Sequence, residues 1–379
     1  MYKALVIGSG SYVIGDSLGM GVIMPSLMEL SKQNLIDEII LVVRTPRSTE
    51  FWERVRKIGE SLSSKITVNE VIINTPLDLV RLIDTKTISF IAVPDQFHKT
   101  YLEILVDNQV PTWIVKPLTG GGDDSRKLAL RSKSFGVPLW VDYHKRFDIS
   151  NLLLKKSIEN NAYQNILNYS VQYSQPNILP LGDLKKWAKS VDVFQYIGCH
   201  YVDQIFFLFP NCEPIRISAT GIKGFLSKND GPEYDIINVI LDLKNDDNFF
   251  RANFNVSWND PNGSQSKSHQ RLDIQFEDGR VIADQKIRGY QVWNSSKTEE
   301  INPYFFQIIN DSEYNAPAGY GFDSIRNFIT AISDKTRHDN KSLPWAWEVY
   351  RTDIVLDYAK ASLRANGDWI KFPKTAMEL

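Results

Sequence analysis

Six short apolar runs, each followed by a turn or a helix-like segment, fill the chain from Tyr2 to His144. They are YKALVIG (2–8), EIILVVR (38–44), ITVNEVII (66–73), ISFIAVP (88–94), TWIVKP (112–117) and PLWVDYH (138–144). Apolar runs of this kind are typical of strands covered on both faces. Between them, VIMPSLMELSKQN (22–34), STEFWERVRKIGESL (48–62), FHKTYLEILVDNQ (97–109) and DDSRKLALRSKSFG (123–136) carry apolar residues at helical intervals. Parallel strands cannot be joined by tight turns and need crossover helices. The alternation therefore predicts an α/β domain with a doubly wound parallel sheet over residues 1–147.

The pattern then changes. ILNYSVQYSQ (166–175) alternates like a half-buried strand, and DVFQYIGCHYVDQIFFLF (192–209) is apolar around most of a helix. Four strand-like runs crowd the stretch 214–285, with turns at NDD and EDG, and helical spacing returns at 321–333 and 345–365. Residues 148–379 are predicted to form an α+β domain with a mainly antiparallel, open-faced sheet.

The chain has 379 residues and a formal net charge of -2, which gives no bulk attraction to nucleic acid or an anionic membrane. No apolar run approaches the roughly 20 residues of a membrane span. The two cysteines make no disulfide framework, and MYKALVIGSG enters a strand without a basic leader. A cytoplasmic location is expected. No His, Cys, Asp or Glu cluster has metal-ligand spacing, so no metal is expected.

GSGSYVIG follows the first strand. Gly8 and Gly10 match the first two glycines of G-x-G-x-x-G, the loop whose amides cradle a pyrophosphate in Rossmann domains. The third glycine is replaced by Val13, with Gly15 two residues on. Gly8, Gly10, Ser11 and Tyr12 are candidate cofactor residues. The second strand ends VVRTPRS with no acid for a ribose. Arg44, Arg47 and Ser48 stand there, which favours NADP over NAD if the arginines take a 2′-phosphate. The competing reading is two ordinary surface arginines.

A wider resemblance rests on several motifs in order. Pro94 and His98 keep a four-residue spacing after one strand, and Lys116-Pro117 ends the next. Tyr143, Arg146 and Phe147 form Tyr-x-x-Arg-Phe, and Gly198, His200 and Asp203 form Gly-x-His-x-x-Asp. With the ending GYGFDSIRNFITAIS and a long last helix, the chain resembles the glucose–fructose oxidoreductase / inositol dehydrogenase / MocA family along essentially its whole length. The resemblance implies a Rossmann domain, a second domain with an antiparallel sheet, and hydride transfer between NAD or NADP and a sugar, cyclitol or related small-molecule substrate. It implies homodimers or homotetramers built through the second domain's sheet. It assigns Lys116 as the substrate-orienting cation, also beside the cofactor, and His200 as the acid/base. Tyr143, Arg146, Tyr196 and Asp203 become candidate substrate residues, and Val93, Pro94 and His98 candidate cofactor residues. A histidine suits the proton work, and an ammonium would stabilise a developing alkoxide.

Two departures stand out. Val115 replaces the family's glutamate before Lys-Pro, and Tyr196 replaces the aspartate one turn before the histidine. Asp192 lies two turns away, and Asp203, at i+3, is the other candidate to orient His200. Two other activities fit the same resemblance: a redox-assisted lyase or glycosidase with retained cofactor, and a non-catalytic dinucleotide-binding regulator.

Overall fold

The structure is a computed structural model and describes residues 1–16, 19–182, 184–185, 187–285, 287–295, 298–310 and 315–379. The chain divides into two compact units. Unit 1 comprises Met1–Thr119, Asp124–Asp148 and Tyr304–Val349; unit 2 comprises Gly120–Asp123, Ile149–Pro303 and Tyr350–Leu379. The chain leaves unit 1 at Asp148, next to the expected boundary. The expectation that 148–379 forms one domain is corrected, because residues 304–349 return to unit 1.

Unit 1 holds strands β1 (Tyr2–Ile7), β2 (Ile36–Val43), β3 (Val68–Ile72), β4 (Thr87–Ile91), β5 (Thr112–Val115) and β6 (Leu139–Asp142). All pairings are parallel, in the order β3-β2-β1-β4-β5-β6. This is the doubly wound Rossmann order, which reverses between β1 and β4. Helix α1 (Ser11–Ile14) is one turn; α2 (Ile23–Lys32), α3 (Thr49–Ser61), α4 (His98–Asp107) and α5 (Gly122–Phe135) follow the periodic segments. Ser48 caps α3 as its sequence implies, accepting from the Phe51 amide.

The returning segment carries α8 (Tyr320–Ile332), and its side chains explain why it belongs to unit 1. Phe328 packs against Phe90 and Trp140, at ring separations of 5.7 and 6.1 Å. Trp345 sits edge-on to Trp140 at 5.0 Å. Ser324 Oγ accepts the indole N–H groups of Trp113 (3.4 Å) and Trp140 (3.3 Å). All three indoles are fully buried. Each removes on the order of 200 Å2 from water, about 5 kcal/mol before ordering entropy.

Unit 2 is built on β7 (Ile166–Pro176), β8 (Glu213–Ile222), β9 (Ile236–Asn245), β10 (Asn248–Asp260), β11 (His269–Phe276), β12 (Arg280–Asp284) and β13 (Ile370–Lys371), with helices α6 (Ile149–Glu159) and α7 (Cys199–Leu208). Helix α9 (Ala346–Arg364) follows Trp345. The sheet order is β12-β11-β7-β10-β9-β8-β13. It is mainly antiparallel as expected, but β7 and β10 run parallel. Along β10, Phe250, Ala252, Phe254 and Val256 are buried, whereas Arg251 and Asn255 are exposed. On that outer face Asn253 donates to Asn168 (2.8 Å), Asn255 donates to Asn238 (2.7 Å), and Arg216 and Arg251 grip Asp242 (2.7 Å each). One face packs a core and the other is a polar lattice, the division the alternating pattern requires. No described helix is long and apolar enough to cross a membrane.

Candidate active site

The glycine loop leaves the carboxyl end of β1. Gly8 has φ +106°, and a Cβ there would lie 2.2 Å from the Ala92 carbonyl oxygen at the end of β4. Only glycine lets the two strand ends approach this closely. A Cβ on Gly10 would meet no atom within 4 Å. One glycine is thus required by the fold, while the other leaves open space in front of the loop. That is the cradle a pyrophosphate needs, so the residues present fit a dinucleotide.

Val13, at the position of the missing third glycine, is fully buried. The reason is local. Helix α1 stops after one turn, Gly15–Asp16 pairs with Gly19–Met20, and helix resumes only at Ile23. The Tyr12 carbonyl accepts from the Val22 amide at 2.9 Å, closing the excursion. This detour was not legible in the sequence, since its glycines read equally well as part of the fingerprint.

Beside the loop, a cavity of about 240 Å3 is lined by Gly8, Ser9, Arg44, Thr45, Arg47, Val93 and Pro94. Arg47 Nη1 donates to Ser9 Oγ at 3.1 Å, and its Nε and Nη2 donate to the Thr45 carbonyl at 3.0 and 2.8 Å. Arg44 Nη2 reaches the Asn74 carbonyl at 3.2 Å. Both arginines expected at the end of β2 therefore border the cavity.

His98 does not. It is fully buried; Nδ1 lies 2.9 Å from the Pro117 carbonyl oxygen and Nε2 3.0 Å from that of Val93. Burial pushes its pKa down, while Asp95 and the carbonyls oppose that shift. His98, expected on the cofactor side, instead braces the end of β4 against the end of β5. Lys116 follows β5 directly and is half-buried, and its peptide bond to Pro117 is cis.

The Tyr-x-x-Arg-Phe stretch is also a brace. Tyr143 is fully buried, and Arg146 is 2% exposed. Arg146 Nη1 lies 3.3 Å from the carbonyl oxygens of Lys341, Ser342 and Leu343. Phe147 stacks on Trp140 at 5.7 Å. Arg146, a candidate substrate residue, thus has one guanidinium nitrogen against the loop at 341–343. Beside it lies a cluster that sequence reasoning missed. The buried Asp142 carboxylate accepts from Tyr12 Oη (2.6 Å) and Ser324 Oγ (2.7 Å) and lies 3.3 Å from His144 Nδ1.

In unit 2, His200 is 5% exposed and lies in the first turn of α7. The preceding Phe194–Gly198 is a π-helical turn, a feature frequent at functional sites. A Cβ on Gly198 would lie 2.4 Å from the Phe194 ring, which explains the glycine of Gly-x-His. Tyr196 is half-buried between Trp187 (5.5 Å) and Trp258 (5.4 Å). Burial pushes its hydroxyl up to about 12, so it stays protonated and can donate. Asp203 is 1% exposed, and burial, then Tyr201 and Asp203, drives the Tyr169 hydroxyl well above its usual range. Two loops of the second domain are candidates for substrate specificity: NDPNGSQSKSHQ (259–270) is described throughout, whereas in KIRGYQ (286–291) Lys286 lies outside the described residues. Among the described residues, no three His, Cys, Asp or Glu groups gather to hold a metal ion.

No family model matches the sequence, and no curated protein matches it. Solved structures do. A myo-inositol dehydrogenase from Corynebacterium glutamicum is 16% identical, with a TM-score of 0.67 over 98% of this chain and 99% of that one. The scyllo-inositol dehydrogenase of Lactobacillus casei, solved with NAD(H) and scyllo-inositol, is 15% identical, with a TM-score of 0.69 over 98% and 99%. The myo-inositol dehydrogenase of the same organism, solved with NAD(H) and myo-inositol, is 14% identical, with a TM-score of 0.65 over 98% and 97%. The likeness runs nearly end to end, and the fold expected from the resemblance is the fold of these dehydrogenases.

Proposed function

We propose that the chain is an NAD(P)-dependent oxidoreductase that oxidises a hydroxyl, or reduces the carbonyl, of a sugar, cyclitol or sugar derivative. The observation that carries this reading is the pair of glycines: Gly8 is demanded by strand packing, and a Cβ on Gly10 would meet no atom within 4 Å, which leaves the loop open to a pyrophosphate. A bound nicotinamide supplies the hydride acceptor or donor. Gly8, Gly10 and Ser11 would hold its pyrophosphate, and Val93, Pro94 and the cavity its adenosine side.

This chain's own residues manage charge and protons. Lys116 orients the reacting hydroxyl and stabilises negative charge on its oxygen. His200 takes that proton during oxidation and returns it during reduction. Tyr196 is a hydrogen-bond donor, not a base, because its pKa lies near 12. The carboxylate usually found there is replaced by a neutral group, so Asp203 is the acid we assign to orient His200. The test is turnover on a panel of sugars and cyclitols, followed at the nicotinamide absorbance band. Lys116→Ala and His200→Ala should each abolish turnover with cofactor Kd unchanged; near-normal kcat in either removes that residue from the mechanism.

For the cofactor, we assign NADP. The dehydrogenases from Lactobacillus casei were solved with NAD(H); here Arg44 and Arg47 border the cavity and the end of β2 offers no carboxylate. Arg47→Ala should weaken NADPH more than NADH, and a wild type preferring NADH overturns the assignment. For assembly, we assign self-association through the polar outer face of unit 2. Light scattering of wild type and Asp242→Arg tests it, and a monomeric wild type sinks it.

A further inference from the structure

In a continuous Rossmann helix the phosphate loop is held by the helix it starts. That support is missing here. Ser11–Ile14 is one turn, separated from α2 by residues 15–22. Val13 and Ile14 of the turn are buried, and among the described residues Tyr12 is the side chain that ties it by a hydrogen bond to the carboxyl end of the sheet. Tyr12 lies with its ring parallel to Trp113, 17° apart in plane and 6.3 Å between centroids. Its hydroxyl donates to Asp142 Oδ2 at 2.6 Å, 130 residues away at the carboxyl end of β6. Asp142 is itself held by Ser324, which is braced in turn by two indole N–H groups. His144 closes the cluster, 3.4 Å from the Tyr12 hydroxyl and stacked on Tyr320 at 5.5 Å. An acceptor so thoroughly fixed does not move to meet its donor; the donor's segment is what is being positioned.

We propose that Tyr12 and Asp142 form a pin that replaces helix continuity and sets the phosphate loop for the pyrophosphate of the dinucleotide. Tyr12 is thus a positioning residue acting through the loop backbone, and Asp142 belongs to the cofactor site without touching the cofactor. This rests on the cofactor reading above. A loop that samples its competent form only part of the time weakens apparent affinity by that fraction. The cost should appear only for ligands that carry the pyrophosphate.

The variant is Tyr12→Phe, which keeps the ring against Trp113 and removes one oxygen. Titration calorimetry with AMP, ADP-ribose, NAD and NADP, and hydrogen exchange of the unliganded protein, are compared with wild type. The expected result is a Kd about tenfold higher for ADP-ribose and for the preferred dinucleotide, the scale of one hydrogen bond to a carboxylate. AMP should bind as before, and exchange should accelerate only in peptides covering residues 9–14. Unchanged ADP-ribose affinity overturns the proposal, and so does equal weakening of AMP, which would mean general damage. If wild type binds none of these ligands, the cofactor reading has failed. The pin is then judged on exchange alone, and unchanged protection of residues 9–14 rejects it.

Discussion

At the level of single residues, candidates for chemistry stand out in the sequence and supports do not. Lys116 and His200 carry motif spacing, which makes them candidates. Asp142, Ser324 and Asp235 carry no spacing, because their partners are brought by folding from elsewhere in the chain. Asp235 shows what such a residue does. It is 4% exposed, and its carboxylate accepts from the amides of Gly224 (2.9 Å), Phe225 (2.8 Å) and Leu226 (3.1 Å). Asp235→Ala leaves those donors without their acceptor. It should cost about 2–4 kcal/mol in urea unfolding, with the midpoint lowered and the slope unchanged. The thiols give a second residue-level test. Cys199 and Cys212 are buried, and burial pushes the Cys212 thiol up to about 12, against opposition from Arg351. Neither should react with a thiol reagent near neutral pH until denaturant is added, when both should. A thiol titrating in the native protein would contradict this burial.

Elements were legible where periodicity is strong and illegible where pairing decides. The six strands of the first sheet, the long strands of the second and the main helices fall on their predicted runs, because periodic burial writes itself into the sequence, whereas the short β13 lies on none. The parallel pairing of β7 with β10 does not, since orientation depends on the path of the connection and not on either strand's pattern. The glycine loop lies between these cases, and its two glycines should separate in experiment. Gly8→Ala places a Cβ 2.2 Å from the Ala92 oxygen at φ +106°. It should lose about 3 kcal/mol or more, or fail to fold, since both strain and overlap apply. Gly10→Ala meets no neighbour at φ -74°. Its stability should stay within about 0.5 kcal/mol of wild type, while dinucleotide affinity falls because the methyl fills the approach to the loop. A Gly10→Ala protein that binds dinucleotide normally would refute the cradle.

At the scale of the molecule, the sequence suggested a cut near residue 147, and the fold explains why that cut would not yield a domain. The crossover logic that reveals a doubly wound sheet acts between neighbouring segments, and it is silent about a helix returning from far along the chain. Residues 304–349 belong to unit 1, where Phe328 and Trp345 complete the packing of Phe90 and Trp140, and Ser324 satisfies two buried indoles. A fragment of residues 1–148 would expose Trp113 and Trp140 and leave the Asp142 carboxylate without its serine. Each indole is worth about 5 kcal/mol of burial, against a typical domain stability of about 5–15 kcal/mol. Even partial exposure of the pair therefore removes much of the margin. The fragment should show no sharp thermal transition, weak near-ultraviolet dichroism and strong binding of a hydrophobic dye, whereas the full chain unfolds cooperatively. Cooperative unfolding of the fragment would show that the six-stranded sheet is self-sufficient. Residues 304–349 would then be an accessory to unit 1 and not part of its core.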